Sequence, residues 1–95
     1  MAPRISYQKK ANADGIHDEP TAATIAAQFE REQNAQNATR VMNSLATAAR
    51  YAEAMSAPET HASIMQELQT IAARLTREGY RVDYVEAIDL WTVHA

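Results

Sequence analysis

Between Thr21 and Ser56 the chain contains neither glycine nor proline. Alanine and other strong helix formers dominate that stretch, so nothing local interrupts a helix. Thr21, directly after Pro20, is placed to cap its start. A helix over 21–56 would be roughly 54 Å long at 1.5 Å per residue. A small domain cannot cover such a rod. Either it breaks near Asn34–Asn37, inside the polar run "EREQNAQN", or its N-terminal half projects to meet another subunit. The continuous helix is favoured.

Apolar residues recur along the rod at helical spacing. Ile25 and Phe29 lie one turn apart. Further on, Ala38, Val41, Leu45, Ala48, Ala52 and Met55 are spaced 3, 4, 3, 4, 3, a heptad-like seam. Next comes "SAPE", which reads as a capping box: Ser56 at the N-cap, Pro58 in the first turn, Glu59 reaching back. A second helix is expected over 57–78, with the seam His61, Ile64, Leu68, Ile71 and Leu75 and with Gly79 as its stop. Two seams joined by a tight turn predict an antiparallel helical hairpin.

After Gly79 the period falls from 3.6 to 2. "YRVDYV" and "IDLWTV" are β-branched and aromatic, which predicts a β-hairpin over 80–94. With a loop of two or four residues, Tyr80, Val82, Tyr84, Trp91 and Val93 share one face. That face is expected to cover the second helix. Val85, Ile88 and Leu90 then share the other, beside Arg81, Asp83 and Thr92. An isolated two-stranded hairpin is marginal in water, and its edges can accept further strands. The second face is therefore expected either to meet a neighbour or to belong to a sheet extended by another chain.

Residues 1–20 show no helical period, and Ile5, Tyr7 and Ile16 are their only large apolar side chains beyond the first residue. They read as an extended N-terminal arm. The fold class is thus mainly α: an antiparallel helical hairpin, a short C-terminal β-hairpin and the arm, with 21–95 as one small domain. The candidate core is Leu45, Ile64, Leu68, Ile71, Leu75, Tyr80, Val82, Tyr84 and Trp91. The candidate interface is Ile5, Tyr7, Ile25, Phe29, Val85, Ile88 and Leu90.

Composition limits what this core can hold. Of 44 hydrophobic residues, 20 are alanine. A large side chain contributes roughly 1.5–3 kcal/mol when fully buried, a methyl much less. Net charge is −3 with both signs dispersed. No basic stripe exists to neutralise phosphates, so nucleic-acid binding is not expected. Cysteine is absent, which excludes disulfides and thiolate metal sites. "MAPRISYQKK" lacks the apolar run of a signal peptide, and no stretch reaches the roughly 20 apolar residues of a membrane span. Secretion through a signal peptide and a membrane partner are not expected.

Chemistry-bearing residues are scattered. His17-Asp18-Glu19 falls in the arm, without apolar surroundings to shift its pKa values. His61 has methionine, not a second ligand, one turn on, and reads as a seam residue. His94 is read as solvated, and Arg31, between Glu30 and Glu32, as part of a polar helix face. Asn37-Ala38-Thr39 fits a glycosylation acceptor but lacks a secretory route. With glycine only at Gly15 and Gly79 there is no phosphate loop. No catalytic residue, metal or cofactor is assigned, and an enzyme is not expected.

The segment "LTREGYRVDY", a short turn, then "IDLWTV" resembles a recurring arrangement in small bacteriophage-encoded proteins. There a helix closes at Gly-aromatic and a short hairpin ends in an apolar-Trp-Thr run. The resemblance spans residues 70–93 and carries no functional residue with it. Together with the arm, the long helix with its polar midsection and the two-sided hairpin, it leads to the expectation of a structural assembly subunit of a phage particle, such as a connector, tail, scaffold or internal protein. Its partners would be copies of itself and other assembly subunits, in the virion or host cytoplasm. The alternative expectation is a small regulatory or inhibitory binding protein, for instance an anti-defence or host-takeover factor.

Overall fold

The computed structural model describes residues 19–95; the arm expected over 1–20, with Ile5 and Tyr7, lies almost wholly outside them. Helix α1 spans Ala22–Ala54 and α2 spans Pro58–Arg77. Strand β1 (Arg81–Val85), a 3-10 turn (Glu86–Ile88) and β2 (Leu90–His94) follow. The architecture is mainly α, with a helical hairpin followed by a two-stranded antiparallel sheet.

Thr21 caps α1, its hydroxyl oxygen accepting from Thr24 N at 3.1 Å. The helix runs unbroken through Asn34–Asn37. Side chains one turn apart support the polar stretch: Gln28 donates to Glu32 at 3.0 Å and Arg40 to Asn37 at 2.5 Å. At 33 residues α1 is about 50 Å long. Residues 22–30 are exposed throughout. Arg31 is the first to dock, its guanidinium 4.2 Å from the centre of the Tyr80 ring.

The seam on α1 differs from the expected one by about one position. Ala35, Met42, Ala46, Ala49 and Ala52 are buried. Val41, Ala48 and Met55 are exposed, and Leu45 is half-buried against the core. In so alanine-rich a helix, several rotations present a line of small residues, so the packed element selects among them. Here β2 selects. Asn43 Nδ2 donates to Trp91 O at 2.8 Å, and Asn43 Oδ1 accepts from Trp91 N at 2.8 Å. Thr39 Oγ1 accepts from Val93 N, also at 2.8 Å. Turning Thr39 and Asn43 toward the strand brings Met42 inward and leaves Val41 outside.

The turn between the helices is not a capping box. Ser56 sits in the left-handed region at φ 58° as the residue that ends α1. Its N–H donates to Glu53 O at 3.0 Å, and Ala57 N–H to Ala52 O at 2.9 Å. These are the paired bonds of a Schellman stop. Ala57 then begins α2 with no side-chain cap, and Pro58 and Glu59 occupy its first turn. Proline removes one of the orphan N–H groups a cap would serve, and Glu59 favours the positive end of the helix dipole. The same stop closes α2: Gly79 N–H donates to Thr76 O and Tyr80 N–H to Leu75 O. There φ is 92°, which glycine adopts freely.

These two stops respond oppositely to mutation. Ser56→Gly is expected to stabilise the fold by about 0.5–1 kcal/mol, because it relieves a left-handed L-residue at some cost in chain entropy. Gly79→Ala is expected to cost about 1–2 kcal/mol. A Cβ there would meet only Arg31 at an ordinary 3.7 Å, so backbone strain is the cause. Urea denaturation of both variants checks the pair; shifts of the same sign would contradict the assignment.

The hairpin pairs Val82 with Val93, Tyr84 with Trp91 and Val85 with Leu90, leaving a four-residue loop 86–89. Trp91, Val93 and Tyr80 join Met42, Leu68, Ile71 and Leu75 in one core, with Ile64 and Val82 half-buried around it. The hairpin thus seats against both helices, not against α2 alone. Tyr84, expected in the core, is 44% exposed. Its ring lies 4.6 Å from that of Trp91, sheltering the indole from outside. β1 is the outer strand, and the described chain places no further strand beyond it to cover this ring.

Candidate interaction surfaces

Of the twenty large apolar residues in the described chain, ten are exposed and seven buried. Single exposed apolar residues are ordinary, but groups of them are not. Here they fall into groups set by the elements. Ile25 and Phe29, the latter 63% exposed, lie one turn apart on the projecting end of α1. Tyr51 and Met55 are exposed one turn apart at its other end. Val85, Ile88 and Leu90 are exposed together at the hairpin tip, with Ile88 at 65%. Val85 and Leu90 are direct cross-strand partners, and Ile88 belongs to the turn joining them. The pleat sends Tyr84 and Trp91 to the opposite face.

One polar cluster fixes this tip. Arg50 of α1 donates to the Asp89 carboxylate, which also accepts from the Tyr84 hydroxyl at 2.7 Å. Asp89 occupies the left-handed region that lets the turn close. The Tyr84 hydrogen bond, followed by that from Arg50, holds the Asp89 carboxyl below the usual carboxylate range. The same bond to Asp89 raises the Tyr84 phenol above its ordinary value. Both groups therefore keep one protonation state around neutrality, a poor basis for proton transfer. An open cleft of about 360 Å³ lies beside them, also lined by His61, Met65 and Trp91.

Leu68, Ile71, Leu75, Tyr80 and Trp91 come together inside the fold, and Ile25, Phe29, Val85, Ile88 and Leu90 lie on its surface. His94, half-exposed, has Nε2 3.2 Å from Asp83. His17 and Asp18 lie outside the described residues, and among those described no group of three His, Asp or Glu side chains is placed to hold a metal. Sequence reasoning missed Thr39, Asn43, Arg50 and Asp89, the polar residues that fasten the hairpin to α1. The bonds that join them across the helix–hairpin boundary span 39 to 54 residues, so no local spacing marks them. No described helix is long and apolar enough to cross a membrane.

No family model matches the chain, and neither a curated protein nor a solved structure resembles it at a significant level.

Proposed function

We propose that this chain is a structural subunit of a larger protein assembly, acting through packing against copies of itself and other subunits. One observation carries the reading: ten of the twenty large apolar side chains in the described chain are exposed, and seven of those ten fall in groups at both ends of α1 and at the hairpin tip. A projecting helix and an apolar tip on opposite parts of one small domain suit a subunit that meets more than one neighbour. The resemblance of residues 70–93 to small phage-encoded proteins directs the proposal to a bacteriophage particle. No catalytic role is assigned.

Size-exclusion chromatography with light scattering tests the proposal. The expected result is a mass above that of the 10.5 kDa chain, rising with concentration. A folded monomer persisting at high concentration, and retaining one host protein in a pull-down, would favour an inhibitory binding protein and displace this reading.

A further inference from the structure

We infer that the free edge of β1 receives β1 of a second copy, antiparallel, forming a four-stranded sheet across a two-fold axis. The inference rests on the assembly reading and names its contact.

The two edges of the hairpin are unequal. Along β2, the outward N–H groups of Trp91 and Val93 are taken by Asn43 and Thr39, and the Trp91 carbonyl by Asn43. Helix α1 thus occupies that edge as a strand would. Because Trp91 and Val93 face away from β1, their partners Tyr84 and Val82 face away from β2. The N–H groups of Val82 and Tyr84 make no hydrogen bond to the described chain. β1 is five residues long and carries Arg81 and Asp83, but no proline, lysine or bulge blunts its edge. Below this edge lies an open cleft of about 450 Å³ floored by Ala72, Ala73 and Thr76 of α2. Gln69 and Arg77 also line it, and between them the small side chains leave the underside of the edge open.

Charge selects the occupant and the register. Arg81 and Asp83 stand on the outer face, with Arg81 Nε 3.2 Å from the Asp83 carboxylate. Suppose Val82 pairs with its own symmetry mate. Each Arg81 then faces the second copy's Asp83, and each Tyr84 N–H meets the second copy's Tyr80 carbonyl. Pairing Val82 with Tyr84 would instead set Asp83 against Asp83, and like charges directly opposite are destabilising. The strand is therefore complementary to itself in one register.

Amide hydrogen exchange on the full chain at low and high concentration reads the edge directly. The Val82 and Tyr84 amides should slow at least tenfold at high concentration, while those of Arg81, Asp83 and Val85, which face β2, change little. Arg81→Asp or Asp83→Arg alone should weaken dimerisation by roughly tenfold, since each places like charges opposite at two symmetric positions. The double exchange, Arg81→Asp with Asp83→Arg, should restore it, with circular dichroism unchanged throughout. If the chain associates while Val82 and Tyr84 exchange equally fast at all concentrations, the edge inference is overturned and the assembly reading stands. If the chain is monomeric at all concentrations, both are overturned.

Discussion

Replacing Trp91 with alanine is expected to lower the unfolding free energy by about 3–5 kcal/mol. The indole is 8% exposed and belongs to the core shared by α1, α2 and the hairpin. Few side chains there are large, because much of the α1 contribution is alanine. Removing the ring leaves a cavity that methyl groups cannot collapse into. It also strips the Tyr84 ring of the surface it covers. Backbone hydrogen bonds from Asn43 would persist, so the strand should stay docked while the core loosens. Chemical denaturation measures the loss. A value under about 1 kcal/mol would place the ring at the surface, where substitutions have small effects.

The second large effect separates two neighbouring positions on one helix. Met42→Ala is expected to cost about 2–5 kcal/mol, and Val41→Ala no more than about 0.5 kcal/mol. Met42 is fully buried, whereas Val41 is 51% exposed. Valine is the more conventional core residue, and heptad spacing selects it. Observing the larger loss at Val41 would mean that α1 is rotated by about one residue relative to the described packing. Neither variant adds a polar group, and the differences in atoms removed and in helix propensity between methionine and valine are small beside the burial term.

The alanine content explains why this rotation was not legible. A helix patterned with leucine offers one apolar stripe. In α1, alanines lie on several faces and the large residues Val41, Met42 and Leu45 straddle the boundary between candidate seams. The tie is broken by Thr39 and Asn43, whose side chains satisfy β2. Helix α2 had no such ambiguity: Leu68, Ile71 and Leu75 define a single stripe, and these three are its buried residues. The surface groups divide similarly. Val85 and Leu90 follow from strand alternation once a four-residue loop is set. The Arg50 side of the clamp on Asp89, 39 residues away, has no local signature.

By itself the sequence determined the kinds of element and roughly where they begin and stop: a long helix without interruption, a second helix over about 57–78, a halt at Gly79 and a change to alternation in the tail. These are consequences of backbone sterics and side-chain period, which act over a few residues. Only the three-dimensional structure decided that Ser56 closes the first helix instead of opening the second, which face of α1 turns inward, that α1 seals one edge of the hairpin, and that Tyr84 remains at the surface. The last three depend on contacts between segments far apart in the chain, and the first on a tight turn that the local pattern renders equally well as a cap. Short-range pattern cannot order such contacts when so many positions carry the same small methyl group.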